Sequence, residues 1–170
     1  MLGFNFDYTH PLNLMNRIII MDYKTTYNVA QGSVITAQKN ESIGTDGCGP
    51  CVGLIVVTKN TLIKTCGHFE VGEKANNHLD KSMKAAEKIL EDHFPKKNET
   101  LGVGYVTTSS EPSTKGIIQA ITLHYPGLVI LSSDNKTGIV VSKQGGIKVL
   151  NFNDNITTKT GDANKLASIE

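Results

Sequence analysis

Two apolar segments separated by a polar pair predict a β-hairpin in the first half of the chain. Val52–Thr58 is rich in β-branched residues, Lys59–Asn60 is typical of a turn, and Thr61–His68 has the composition of a returning strand. A two-residue loop would place Cys51 directly opposite His68, with their Cβ atoms roughly 4.5–5.5 Å apart. A slip of one residue would send the two side chains to opposite faces of the sheet. The hairpin therefore predicts a cysteine and a histidine in contact.

The rest of the chain alternates short strands with turns and adds two helices. Apolar residues recur at helical spacing over Asn77–His93, and a second helix is expected within residues 109–126. Many short strands around two helices predict an α+β fold in a single domain, for which 170 residues are sufficient. We place this domain at residues 29–152, after an N-terminal extension at 1–28 and before a polar, solvated tail at 153–170.

Composition narrows the classes of partner and the compartment. The formal net charge is +1, from 17 basic and 16 acidic residues, and no basic cluster predicts a nucleic-acid surface. The longest apolar stretches, such as Gly53–Val57, are too short to span a bilayer, so we expect no membrane insertion. Three cysteines make an odd count that favours a reducing compartment, and the N-terminus lacks a signal-peptide pattern. We expect a cytoplasmic protein, or export through a signal that this pattern does not reveal.

A cysteine beside a histidine can act as a nucleophile, because the imidazole accepts the thiol proton and later donates it to the leaving group. The glycine-rich approach to Cys51, Gly44–Pro50, offers exposed backbone N–H groups to a developing oxyanion. Pro50 has no N–H, so the candidate donors are Cys51, Val52 or a residue from another loop. Cys51 and His68 are thus the candidate catalytic residues.

Other uses of the cysteines stay open. Cys48-x-x-Cys51 followed by Cys66-x-His68 has the composition of a structural zinc site, which would make the protein a zinc-stabilised binding module. Cys48 and Cys51 also have the spacing of a redox pair, although the residues that follow favour a strand over the helix that such pairs precede. Cys51 could instead be a small buried hydrophobe in a catalytically inactive protein-binding module. No other pattern in the sequence indicates a cofactor or a metal.

A threonine, a cysteine and a histidine have a distinctive spacing in this chain. They lie in Gly44-Thr-Asp-Gly-Cys-Gly-Pro-Cys51 and, after an apolar strand, in Thr65-Cys-Gly-His-Phe69. Thr45 stands six residues before Cys51, and His68 stands seventeen residues after it. This pattern resembles the chemoreceptor glutamine deamidase family CheD, and the later helices and strands extend the resemblance to about residue 150. Deamidase toxins such as the cytotoxic necrotising factors share the same Thr/Cys/His arrangement.

The resemblance implies a mixed β-sandwich with outer helices and hydrolysis of a glutamine side-chain amide to glutamate in a protein substrate. Cys51 would be the nucleophile, His68 the general acid and base, and Thr45 the group that orients His68. No cofactor or metal is implied. Pro50 stands where the family has a small residue or serine, and Gly104–Ser110 replaces its glycine-rich block. The substrate is therefore expected to be either a chemoreceptor or a host protein reached by an exported effector.

Overall fold

The computed structural model describes residues 22–71, 78–133, 136–151, 154–159, 164–166 and 169. The strands, in chain order, are β1 (Asp22–Asn28), β2 (Ser33–Ala37), β3 (Ile43–Thr45), β4 (Val52–Thr58), β5 (Lys64–Phe69), β6 (Thr100–Val106), β7 (Val129–Ser133), β8 (Gly138–Val141), β9 (Ile147–Leu150), β10 (Asn155–Lys159) and β11 (Asn164–Lys165). The helices are α1 (Leu79–His93) and α2 (Pro112–His124), with a 3₁₀ turn at Lys97–Glu99.

These strands form two mixed sheets, which confirms the predicted α+β fold. The order is β10-β1-β3-β8-β9 in a five-stranded sheet and β11-β2-β5-β4-β6-β7 in a six-stranded sheet. β1 is parallel to both of its neighbours, and β6 is parallel to β7. The six-stranded sheet lies between the five-stranded sheet and the helices, because its side chains form one core with each of them.

The central strand β4 is apolar throughout because it is buried on both faces. Leu54 and Val56 belong to the core beneath the helices, whereas Ile55 and Val57 belong to the core between the sheets. Successive side chains of a strand point to opposite faces, so a continuous apolar run is what such a middle layer needs. Each buried side chain of β4 and β5 therefore belongs to one of the two cores, according to the face of the strand on which it lies.

Helical periodicity buries one face of each helix against the six-stranded sheet. α1 covers the predicted segment closely, and its Ala86 and Leu90 are buried as the spacing indicates. α2 has Pro112 in its first turn, where a missing N–H costs no helical hydrogen bond. The helices cross closely at Gly116, where an added Cβ would collide with the Leu79 carbonyl oxygen. No helix in the described ranges has the length and hydropathy needed to span a membrane.

The predicted hairpin forms, but its register is different. Gly53 lies opposite His68, so the expected pairing of Cys51 with His68 is wrong. The loop has four residues, because the Thr58 N–H donates to the Ile63 carbonyl oxygen at 2.8 Å. Two of these loop residues adopt a positive φ, which differs from the two-residue turn that the polar pair suggested.

The change of register preserves the shared face. Continued past Gly53, the observed register places position 51 opposite position 70, two residues from His68. Side chains alternate with a period of two, so Cys51 and His68 remain on one side of the hairpin. Such diagonal neighbours have Cα atoms about 7–8 Å apart, in place of the direct opposition that was expected.

Both segments that the sequence analysis set outside the domain contribute strands. β1 lies in the predicted extension, and its partner β10 lies in the predicted tail. The tail also supplies β11 and the buried side chains of Leu166 and Ile169, so this part of it is not solvated. Pairing by backbone hydrogen bonds needs no apolar repeat, and for that reason the polar composition concealed these strands. Residues 1–21 of the extension lie outside the described residues.

A buried lysine joins loops of the two sheets. Lys64 is fully buried, and four backbone carbonyl oxygens lie 2.7–3.3 Å from its Nζ, enough acceptors for all three of its N–H groups. Gln38, Lys39 and Glu41 supply three of these oxygens from the β2–β3 loop, and Lys143 supplies the fourth from the β8–β9 turn. A buried charge is costly unless hydrogen bonds replace its hydration, and these carbonyl oxygens replace it here.

Candidate active site

A hydrogen bond between the two sheets fixes the candidate histidine. Thr45 ends β3 and His68 lies in β5, and Thr45 Oγ1 is 2.8 Å from His68 Nδ1. The same hydroxyl donates to the Val29 carbonyl oxygen at 2.8 Å. Because a hydroxyl has one proton, it must accept a hydrogen bond from Nδ1. The network therefore assigns neutral His68 the tautomer with hydrogen on Nδ1 and a lone pair on Nε2.

The second ring nitrogen of His68 is available for chemistry. Nε2 is buried, and among the described residues it has no hydrogen-bond partner. Burial lowers the pKa of His68, while the negative charge of Asp46 acts in the opposite direction. The imidazole is therefore neutral near pH 7. A neutral ring with one nitrogen anchored and the other unpaired has the form of a general base that awaits a proton donor.

Cys51 lies in the bend before β4 and is 3% exposed. Burial raises the pKa of its thiol, a hydrogen bond from the Val71 backbone N–H lowers it, and the Glu70 carboxylate raises it. No hydrogen bond joins Cys51 to His68 within the described part of the chain. Because its pKa is raised, Cys51 is a protonated thiol in the resting protein. Its position in the hairpin is diagonal to that of His68, two residues from direct opposition.

Cys48 is a neighbour of His68, as the zinc-site alternative required, but the sequence analysis did not include it among the catalytic residues. Its Sγ is 3.9 Å from His68 Nδ1, and it is fully buried. Burial, with Cys51 and Asp46 nearby, raises the pKa of Cys48 to about 12. Cys48 faces the ring nitrogen that already carries hydrogen, so that nitrogen cannot accept its proton. The Cys-x-x-Cys spacing was the only signal for this residue, and it indicated a metal or redox pair instead.

The predicted zinc set is not assembled. Cys66 shares the inter-sheet core with Cys48, and burial raises its pKa well above the usual range. Across the described residues, however, no group of three or more His, Cys, Asp or Glu side chains is arranged to hold one metal ion. The three cysteines are free thiols.

Gly53 makes room for the contacts around His68. It is paired with His68, and a Cβ at this position would lie 2.8 Å from Cys48 Sγ and 2.9 Å from Thr45 Cγ2. The sequence analysis overlooked this residue, although a glycine inside an apolar strand is a known sign of close approach. Gly53 is therefore part of the structure that brings the threonine to the histidine.

Gly53→Ala is expected to push Thr45 away from His68. Overpacking of this kind costs about 1–3 kcal/mol of unfolding free energy, which a denaturant titration would measure. Imidazole ¹⁵N NMR should also show loss of the single Nδ1–H tautomer. Gly49→Ala is the matched control, because no atom lies within 4 Å of a Cβ added there. An unchanged tautomer in Gly53→Ala would contradict this account of the glycine.

A polar depression opens beside the bend that carries Cys51. Its volume is about 480 Å³, and it is lined by Gly49, Pro50 and residues 108–111. None of Thr45, Cys51 and His68 lines it, but Gly49 and Pro50 directly precede Cys51 in the chain. A second cavity of about 240 Å³ lies between β1 and β8 and is lined by none of the candidate residues.

Of the three residues predicted for the site, Thr45 and His68 are hydrogen bonded to each other, and Cys51 lies in the bend that precedes β4. Neither the known protein families nor the curated proteins compared with this sequence match it. The likeness to glutamine deamidases therefore depends on the spacing of these residues and on the chemistry that their arrangement allows.

Proposed function

We propose that the protein is a cysteine-dependent deamidase that hydrolyses the side-chain amide of a glutamine in a protein substrate. One observation carries the proposal. His68 is held by Thr45 as a neutral base, and its unpaired Nε2 lies on the same side of the hairpin as Cys51. A core histidine without a chemical role would be expected to pair both ring nitrogens, since unpaired buried groups are costly.

The proposed reaction has two steps. The Cys51 thiol transfers its proton to His68 Nε2 as sulfur attacks the carboxamide carbon, which gives a tetrahedral oxyanion. Collapse of this intermediate breaks the C–N bond, and the proton on Nε2 goes to the leaving nitrogen to release ammonia. Water then attacks the thioester with Nε2 as base, which yields glutamate and restores the thiol. No cofactor takes part in either step.

The proton moves during the attack and not before it. Burial raises the pKa of Cys51 and lowers that of His68, so both groups are neutral in the resting protein. The absence of a hydrogen bond between them at rest is compatible with catalysis, since such contacts commonly tighten only when substrate binds. Entry of the substrate amide beside Cys51 would supply that tightening.

The substrate class follows from the resemblance to CheD and the deamidase toxins. The partner would be a protein with an exposed glutamine, either a chemoreceptor in the cytoplasm or a host protein met by an exported effector. The test is to incubate the protein with chemoreceptor cytoplasmic domains and with host-cell proteins, and to measure ammonia release and the mass gain of amide-to-acid conversion. Absence of both, together with a Cys51 thiol that does not react with iodoacetamide, would favour an inactive binding module.

Thr45→Val is expected to slow the reaction by about 10–100-fold, the loss typical when the group that orients a metal-bound histidine is removed. Valine keeps the size of threonine but cannot accept the Nδ1–H bond, so the ring is no longer held in one tautomer. Steady-state kinetics would measure the loss in kcat. Thr45→Ser keeps the hydroxyl and should keep most of the activity, while an undisturbed rate in Thr45→Val would remove this residue from the site.

A further inference from the structure

Threonine hydroxyls from two other elements hold the turn that precedes Cys51. Thr114 Oγ1 in α2 donates to the Pro50 carbonyl oxygen at 3.0 Å. Thr108 Oγ1 donates to the Gly49 carbonyl oxygen at 3.0 Å, and the Cys48 carbonyl oxygen lies 3.3 Å from the same hydroxyl. The Gly49 and Pro50 carbonyls are therefore each held by a threonine hydroxyl, one that follows β6 and one that lies in α2.

The backbone N–H groups of the same turn are engaged, with one exception. The Cys48 N–H donates to the Thr137 carbonyl oxygen at 2.8 Å, and the Gly49 N–H donates to that of Gly47 at 3.0 Å. Pro50 has no N–H. For the Cys51 N–H, no hydrogen bond to any described residue is present. Cys51 therefore carries the one free amide donor of this turn.

The direction of this donor is set by the peptide that contains it. Peptide bonds in the described residues are trans, so the Pro50 carbonyl and the Cys51 N–H point in opposite directions. The carbonyl points to Thr114, in the helix that packs on the outer face of the six-stranded sheet. The Cys51 N–H consequently points away from Thr114 and from the helix that carries it.

We propose that Thr114 is a positioning residue that aims the Cys51 backbone N–H at the oxyanion formed during deamidation. This inference rests on the proposed function. A donor helps only if it already points at the place where charge develops, because a donor that must first turn loses much of its effect. Thr114 is fully buried, so its hydroxyl can hold the Pro50 carbonyl without competition from water.

The test compares reactions that form an oxyanion with one that does not. Turnover of a glutamine substrate builds negative charge on oxygen, and a peptide bearing glutamate γ-semialdehyde in place of glutamine forms a hemithioacetal with similar charge at the same position. Alkylation of Cys51 by iodoacetamide is a displacement at carbon and needs no oxyanion donor. A positioning role for Thr114 predicts that only the first two depend on it.

Thr114→Val is expected to lower kcat and the affinity for the semialdehyde peptide by about 10–100-fold, less than the about 10²–10³ lost when a donor is removed outright. The alkylation rate should stay at the wild-type value, and Thr114→Ser should restore both losses. Thr122→Val is the matched control, since Thr122 is an exposed residue of the same helix whose hydroxyl donates to the Ile118 carbonyl oxygen. It should change none of the three readouts.

Distinct results separate failure of this inference from failure of the proposed function. Wild-type affinity for the semialdehyde peptide in Thr114→Val would overturn the inference and leave the function intact. A parallel fall in alkylation in both Thr114→Val and the smaller Thr114→Ala would assign Thr114 a purely structural role, and Thr114→Ala alone decides if the valine variant does not fold. If the wild-type protein neither turns over glutamine nor binds the semialdehyde peptide, the deamidase function fails, and this inference fails with it.

Discussion

Cys51→Ala is expected to abolish deamidation, with a fall in kcat/KM on the order of 10⁴-fold or more, because the proposed thioester forms on the Cys51 sulfur. Ammonia release and substrate mass would measure the loss. The matched control is Cys48→Ala, which removes a sulfur of the same turn. It should keep most of the activity, since Cys48 faces the ring nitrogen that already carries hydrogen.

The two cysteine variants together decide which sulfur is the nucleophile. Loss of activity in Cys48→Ala with retention in Cys51→Ala would reverse the assignment. Peptide mapping after reaction with a peptide that bears a chloromethyl ketone in place of the glutamine amide, in which the attacking sulfur displaces chloride and forms a stable thioether, would locate the bond independently. Unfolding curves for both variants would separate chemical from structural effects, because both cysteines are buried.

His68→Gln is expected to lower kcat/KM by a similar amount, on the order of 10⁴-fold, because the base that activates the thiol is removed. Glutamine retains a polar side chain that can bond to Thr45, so the fold should be preserved. The alkylation rate of Cys51 by iodoacetamide should also fall, which separates loss of the base from loss of substrate binding. A variant that retained full turnover would exclude His68 from the mechanism.

The pH profile of the wild-type protein provides the second measurement for His68. Activity should fall as protonation removes the Nε2 lone pair, and burial lowers the His68 pKa, so the midpoint of this loss lies below the ordinary value of 6.5. Activity should then remain high up to the pH at which Cys51 ionises, above the ordinary thiol value of 9.0. A preformed thiolate–imidazolium pair would instead place the acid limb near about pH 4.

The limits of sequence reasoning are clearest at the hairpin. β-Branched runs predicted both strands, and the alternation of side chains predicted that Cys51 and His68 share a face. The loop length could not be predicted, because Lys59–Asn60 lacks the glycine that specifies a two-residue turn, and the chain adopts four loop residues instead. A register shift of two residues keeps each side chain on the same face of the sheet, so the prediction that Cys51 and His68 share a face does not depend on the exact register.

Contacts between distant segments could not be predicted from the periodicity of the sequence. The spacing of Thr45 and His68 suggested a partnership through resemblance, but the role of Gly53 depends on the approach of another sheet. The same is true of Thr114, which reaches the Pro50 carbonyl across more than sixty positions of sequence. Periodicity reports which face of an element is buried, whereas such long-range hydrogen bonds depend on how the buried faces are stacked.

The ammonium group of Lys64 constrains how this fold can evolve. Its Nζ is hydrogen bonded to carbonyl oxygens of both the β2–β3 loop and the β8–β9 turn. Insertion or deletion in either connection would move its oxygens away from Nζ and leave the buried charge short of acceptors. The lengths of these two loops are therefore coupled in descendants that keep the lysine, and they become independent only after it is lost.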